Sequence, residues 1–335
     1  MIISELPLSI FAIVAAAVLS AGMTWAIRPL LLQHTLAKPN ARSSHRIPTP
    51  QGAGIAVIGA TLAIAGIIAA TANTVNIPAA VFAAVLFIAG VGFADDVKSI
   101  PILPRLLLQA VAVSAILYAS RDLRILPACP FWIERSLLLL AGLWFVNLVN
   151  FMDGLDWMTV AEVVPITGAM VVLGSLGELS ASATIVAAAL FGAMVGFAPF
   201  NRPVAKIFLG DVGSLPIGLL LGWCLLQLAY YQQLTAVLLL PLYYLSDATM
   251  TLMRRLARRE TFWAAHRSHY YQRATDNGFT VIRVVSEVFA LNIGLAALAI
   301  ASTKTQSPAT NVVLLIIGSA GVALSMYRFS SRRPS

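Results

Sequence analysis

Charge is scarce in this chain: Asp, Glu, Lys and Arg make up 11% of its residues, against about 25% in an ordinary soluble domain. Set beside 59% apolar residues, that deficit excludes a water-soluble globular protein. Cysteine is nearly absent. Cys129 stands in a polar connection and Cys224 in an apolar run, so neither a disulfide nor a thiolate metal centre is expected. Acidic residues are scarcer than basic ones, 14 against 22, for a net charge of +8. The cations fall in short loops between apolar runs, where orientation in a bilayer accounts for them without nucleic acid. A positive region ahead of the first apolar run is also missing. Glu5 precedes that run and Arg28 lies near its end, so the segment should stay uncleaved.

What is present is a succession of apolar runs. A spanning helix needs about 20 mostly apolar residues, because each backbone polar group in lipid must be bonded within its own helix. That window predicts an all-α polytopic membrane protein of about eleven spans, at 8–32, 53–71, 77–93, 103–119, 136–151, 158–175, 181–199, 213–231, 235–253, 281–302 and 310–328. The runs follow one another with short interruptions, so residues 1–335 read as one integral domain. An odd number of spans puts the termini on opposite sides. One side holds Lys38, Arg42, Arg46, Lys98, Arg105, Arg202, Lys206, Arg254, Arg255, Arg258, Arg259, Arg267, Arg273, Arg328, Arg332 and Arg333; the other holds Arg121, Arg124, Arg135 and Lys304. The bias makes the first side cytoplasmic, with the N-terminus outside and the C-terminus inside.

On that assignment the conspicuous polar clusters all face inward. Asp95-Asp96 closes the third span, with Lys98 and Arg105 after it. Adjacent carboxylates suit a hard cation, or a pair in which one stays protonated; two solvated charges ending a helix is the bland alternative. Asn147 and Asn150, three apart, share a face of the fifth helix and are followed by Asp153 and Asp156 around Gly154. Such groups in an apolar helix end call for a ligand or, for the amides, a helix–helix hydrogen bond. Glycines flank Asp211 in the Phe208–Ser214 stretch, so a carboxylate at the mouth of a helix either holds Mg²⁺ against phosphate or simply caps the helix. His266, Arg267 and His269 lie in the longest inward loop, and imidazole and guanidinium donors suit pyrophosphate. The Arg254, Arg255, Arg258, Arg259 run fits topology and lipid headgroups. Ser44 to Pro50 is a further inward cluster.

In order and in side, these clusters resemble the polyprenyl-phosphate N-acetylhexosamine-1-phosphate transferase superfamily, over residues 38 to 273. The superfamily includes phospho-MurNAc-pentapeptide translocase and the GlcNAc-1-phosphate transferases that start O-antigen and other glycans. The resemblance implies that Asp95 and Asp96 handle the lipid phosphate and that Arg105 takes a basic position. It puts Asn150 near the metal, Asp156 at the uracil and Phe208 stacked on it. Asp211 becomes the magnesium ligand, and His266, Arg267 and His269 the pyrophosphate loop. Asn147 and Asp153 join the substrate-binding candidates. Ala53 and Trp157 stand where the family commonly has glycine. The His-Arg-Ser-His-Tyr-Tyr-Gln-Arg stretch looks more like the O-antigen or capsule branch than the peptidoglycan translocase.

The implied reaction moves an N-acetylhexosamine-1-phosphate from a UDP-sugar to undecaprenyl phosphate, releasing UMP, on the cytoplasmic face of a bacterial inner membrane. Mg²⁺ is the expected cofactor, with Mn²⁺ as a substitute, and a homodimer is compatible with the sequence. The competing class is a transporter or flippase, in which Glu162, Asp247 and Glu287 would line a path.

Overall fold

A computed structural model describes residues 5–34, 36–37, 49–261, 266–305 and 307–332. Lys38, Arg42, Ser44 to Pro48 (Arg46 among them) and Arg333 therefore lie outside the described residues. The protein is an all-α polytopic membrane protein. Its helices are α1 (Glu5–His34), α2 (Gly54–Thr71), α3 (Ala79–Val97), α4 (Ile102–Ala119), α5 (Phe131–Met152), α6 (Met158–Ser175), α7 (Ala181–Phe197), α8 (Asp211–Tyr230), α9 (Leu234–Leu239), α10 (Leu242–Ala257), α11 (Tyr270–Asp276), α12 (Val281–Lys304) and α13 (Pro308–Ser330). A two-residue antiparallel pair joins β1 (Leu36–Ala37) to β2 (Thr49–Pro50).

Ten of these helices are individually long and apolar enough to cross a bilayer among the described residues. The ninth expected span differs: it divides into α9 and α10 at Leu240-Pro241. Proline lacks the N–H that a continuing helix needs and its ring crowds the preceding turn, so Pro241 favours a break here, although α1, α6 and α8 run on through Pro29, Pro165 and Pro216.

Helix α8 is the central element, buried along nearly its whole length, with α3 and α5 packed on its flanks. Helix α7 lies tightly along α1. A Cβ at Gly192 or Gly196 would collide with the carbonyls of Ile13 and Ala17, and the Ser20 hydroxyl donates to the Ala193 carbonyl at 2.8 Å. Small residues spaced by four let backbones approach in a bilayer, where dispersion replaces the hydrophobic effect as the force between helices. The outward faces of α1, α4 and α13 remain apolar, with Trp25, Leu107 and Ile316 exposed, as lipid contact requires.

Candidate active site

The polar ends of α3 and α5 and the start of α8 meet on one face of the helix bundle. Gly210, at φ 78°, turns the chain into α8 and supplies no side-chain cap. The cap comes from α3 instead. Asp96 Oδ1 accepts from the Asp211 N–H at 2.9 Å and Oδ2 from the Val212 N–H at 3.0 Å, satisfying donors that the first helical turn leaves unpaired. A Cβ at Gly210 would sit 2.6 Å from Asp96 Oδ2, which is why glycine occupies this position. Gln51 also donates to Asp96 through Nε2. The segment carrying Gln51 is pinned by Gly52 and Ala53 N–H groups on the Phe208 carbonyl, and the Phe208 N–H donates to Pro50 at 2.8 Å.

Asp95 faces Arg105 across a 2.7 Å ion pair and accepts from the Ile100 N–H at 2.5 Å. Arg105 also stands 3.9 Å from Asp211, so its guanidinium lies between two carboxylates, and its Nε is buried without a hydrogen-bond partner. Asn150 Nδ2 donates to Asp211 Oδ1 at 2.8 Å and to Ser214 Oγ at 2.9 Å. The Asp211 side chain is 26% exposed against 7% for Asp95. Asp211 is therefore the more open carboxylate. Its alternative role as helix cap is filled by Asp96, which leaves the Asp211 carboxylate for other chemistry.

Asn147 is not brought to this group. It is buried and donates to Gln109 Oε1 at 2.6 Å and to the Leu143 carbonyl at 2.8 Å, joining α5 to α4. Of the two asparagines on one face, only Asn150 reaches the carboxylates; Asn147 makes the helix–helix bond that the sequence left open as its alternative.

Asp153 and Asp156 follow α5 in the turn to α6. Thr159 donates to Asp153, and Asp156 Oδ2 accepts from the Ala205 N–H at 3.0 Å. Trp157 adopts φ 65°, a left-handed conformation that L side chains avoid, and holds it through Nε1 on the Ala198 carbonyl at 2.6 Å and its N–H on Asn201 Oδ1 at 2.8 Å.

Burial, reinforced by the charges of Asp96 and Asp156, pushes the Asp153 carboxyl up to about 7. Below the ordinary value of 3.8 the group is neutral whether folded or not. Between 3.8 and about 7 the unfolded chain ionises while the folded one keeps its proton, so Asp153 lowers stability progressively as pH rises. Asp153→Asn is accordingly expected to leave the melting temperature unchanged near pH 4 and to raise it at pH 8, in detergent with chelator present. A difference independent of pH would refute this ionisation.

The histidine loop is carried to the same face by α10 and α11. Tyr271 on α11 donates its hydroxyl to the Phe151 carbonyl at 3.1 Å, and a Cβ at Gly154 would strike that hydroxyl. The His269 ring lies 6.5 Å from the Phe151 ring and 4.9 Å from His266. Burial, with the neighbouring His269, Arg255 and Arg254 charges, holds His266 down at about 4, so its ring is neutral at physiological pH. Arg267 pairs with Asp276 at 3.2 Å and donates to Thr275 at 3.0 Å, while its Nε is buried without a partner. Fully buried Asp247 receives His269, Tyr270 and Tyr271, a function its sequence context did not suggest. The other intramembrane carboxylates are held by side chains as well: Glu162 by Asn292, and Glu287 by Arg283 and Arg328.

Residues 78–229 match the family described as Glycosyl transferase family 4, a stretch that contains the carboxylate group and ends before the histidine loop. The chain is 27% identical over 332 residues to the decaprenyl-phosphate N-acetylglucosaminephosphotransferase of Mycobacterium tuberculosis, covering 86% of this chain and 81% of that protein. It is 28% identical over 280 residues to the probable undecaprenyl-phosphate N-acetylglucosaminyl 1-phosphate transferase of Bacillus subtilis, covering 76% and 75%. A shorter stretch of 108 residues is 37% identical to the phospho-N-acetylmuramoyl-pentapeptide-transferase of Streptococcus gordonii, 32% of each chain.

Proposed function

Since this chain carries a glycosyl transferase family 4 domain and its homologues are polyprenyl-phosphate sugar-phosphate transferases, we propose that it transfers an N-acetylhexosamine-1-phosphate from a UDP-sugar to undecaprenyl phosphate. UMP leaves, and a lipid-linked glycan such as O-antigen begins, on the cytoplasmic face of the bacterial inner membrane. The observation that carries this reading is the convergence of Asp95, Asp96 and Asp211 with Arg105 and Asn150, beside a loop bearing His266, Arg267 and His269. The matches to N-acetylglucosamine-phosphate transferases run over most of this chain, whereas the pentapeptide-transferase match covers a third. N-acetylglucosamine is accordingly the first sugar to test.

Mg²⁺ suits this donor set. Two carboxylates face one guanidinium, with Asp96, next to Asp95 on α3, as a third negative group, and all the acceptors are hard oxygens. Among the described residues no three His, Cys, Asp or Glu side chains form a metal cluster. That agrees with the habit of Mg²⁺, which takes one or two carboxylates and completes its shell with substrate phosphates and water. Asp211 would hold the ion with Asn150, whose amide, turned end over end, presents its oxygen. When bound, the ion neutralises charge on the diphosphate.

The transfer forms a bond from a lipid phosphate oxygen to the β-phosphorus and breaks the bond from that phosphorus to the bridging oxygen, which departs with UMP. Catalysis is mainly positioning and charge neutralisation. Arg105, steadied by Asp95 and partly exposed, is suited to orient the lipid phosphate through its guanidinium. Phe208 and Asp156 serve the uracil, with Asp153 beside them, and Arg267 with the two histidines binds the diphosphate. A lipid phosphate is already anionic near neutral pH, so no strong base is required.

The histidine loop makes a graded prediction. Neutral His266 contributes an ordinary hydrogen bond, about 0.5–1.5 kcal/mol, whereas Arg267 contributes a charge-assisted one, about 1.5–3 kcal/mol. His266→Ala should therefore lower kcat/KM roughly two- to tenfold, Arg267→Ala by roughly ten- to a hundredfold, and Arg258→Ala hardly at all. UMP release normalised to folded protein checks the order; equal rates for all three variants would remove this loop from the site. The reading as a whole is tested by supplying UDP-N-acetylglucosamine with and without undecaprenyl phosphate. UMP release must depend on the lipid.

A further inference from the structure

We infer that Asp247 is a positioning residue for this reaction: it accepts the Nδ1–H of His269 and so aims the opposite ring nitrogen at the donor's diphosphate, which that nitrogen binds as an Nε2–H donor. The inference rests on the proposed function for what Nε2 meets, but the arrangement itself is independent of it.

Asp247 lies on α10 with no exposed surface, yet it is not a stray intramembrane charge. Its Oδ1 accepts from the Tyr270 N–H at 3.0 Å and from Thr251 Oγ1 at 3.3 Å; its Oδ2 accepts from the Tyr271 N–H at 3.1 Å and the Tyr243 hydroxyl at 3.2 Å. His269 Nδ1 stands 3.2 Å from Oδ1, and His269 itself is only 3% exposed. A carboxylate already surrounded by four N–H and O–H donors acts as an acceptor, so Nδ1 must bring the proton to this contact. Nε2 is then the ring nitrogen left for a ligand, and it meets a phosphate oxygen by carrying the second proton of the ring. The ring plane is held as well, stacked at 4.9 Å on His266 and 5.7 Å on Tyr271.

The same side of α10 secures the chain on either side of His269. Arg254, two turns beyond Asp247, donates to the Ser268 carbonyl at 2.6 Å, while Asp247 caps the first two residues of α11. A cap taken from another helix is more than local helix chemistry demands. It ties the imidazole to a bundle helix that the carboxylate cluster does not use, giving His269 a fixed place relative to Phe151 and the end of α5.

Two measurements on the full-length protein test this. The chain has four histidines, so ¹⁵N-histidine spectra in detergent can be assigned with His269→Gln. The wild-type His269 must show a protonated Nδ1, and Asp247→Asn must lose that signature. In steady-state UMP release, Asp247→Asn should raise KM for UDP-N-acetylglucosamine or lower kcat at least tenfold while KM for undecaprenyl phosphate stays within twofold. In a His269→Ala background the same substitution should add less than a twofold further loss. If Asp247→Asn does not fold, Thr251→Val, which removes one neighbouring donor at Oδ1, must shift the His269 signal and alter only the UDP-sugar kinetics. A protonated Nε2 with bare Nδ1 in wild type, or equal losses with and without His269, overturns the inference. A wild-type protein that has the expected Nδ1 signal but releases no UMP overturns the proposed function and leaves the Asp247–His269 arrangement standing.

Discussion

Asp211→Asn is expected to lower UMP release by roughly a thousandfold or more while leaving the fold and its melting temperature nearly unchanged. The combination is unusual for a half-buried carboxylate at the start of a central helix. It follows from the division between neighbours: Asp96 caps α8, so Asp211 can lose its charge without unpairing the helix terminus. The Asn150 contact at 2.8 Å survives in part, because an amide oxygen replaces a carboxylate oxygen. Activity measured over a Mg²⁺ titration, per unit of monodisperse protein, checks both halves. Asp122→Asn, whose side chain is 95% exposed beside Arg121, serves as the control and should behave as wild type. Full activity of Asp211→Asn in chelator would sink the assignment.

Asp96→Ala should fail differently, losing stability as well as turnover. Removal of its carboxylate leaves the Asp211 and Val212 N–H groups and the Gln51 amide without their acceptor. Each buried, unpaired donor costs about 1–3 kcal/mol, enough together to unseat the start of α8 and with it Asp211. Asp96→Asn keeps one acceptor oxygen and should fall between. Asp95→Ala removes the partner of Arg105 but leaves only one backbone donor, the Ile100 N–H, without its acceptor, and should melt closer to wild type than Asp96→Ala. Adjacent residues thus differ in kind. If Asp96→Ala melts like wild type and is merely inactive, Asp96 acts on substrate directly and its capping role is secondary.

The helices were legible because apolar length is a local property of the chain. Even the break in the ninth span had its signal in Pro241, though a window of about 20 residues reads across it. The clusters were legible as residue types, and most converge as their order suggested. What could not be read was which partner each group chooses. Asp96 lies 115 residues from the N–H it caps, and Asp247 lies 22 from the histidine it holds. In sequence, Asp95 and Asp96 are an undivided pair, and Asn147 is the equal of Asn150. Only the facing helices separate them: Gln109 on α4 takes one asparagine, and Asp211 on α8 takes the other. Trp157 is another such case, since a tryptophan gives no sign in the sequence of the positive φ it adopts.

The glycine contacts around α8 also bear on how an inhibitor would experience this protein. A Cβ at Gly54 would collide with the Gly213 backbone, and one at Gly92 with the Asp211 carbonyl. Helices α2, α3 and α8 therefore touch main chain to main chain, and no rotamer change can slide them apart. The wall bearing the histidines is joined to the bundle through the side chains of Asp247, Arg254 and Tyr271. A compound anchored on the carboxylate floor meets a surface already in its bound shape and gives up little ordering entropy. One that grips the histidine wall must compete with side-chain hydrogen bonds that hold that wall in place. Residence time should consequently be tuned by groups reaching toward the histidines, and resistance by substitution should arise more readily there than at the glycine-locked floor, where even an added methyl displaces backbone.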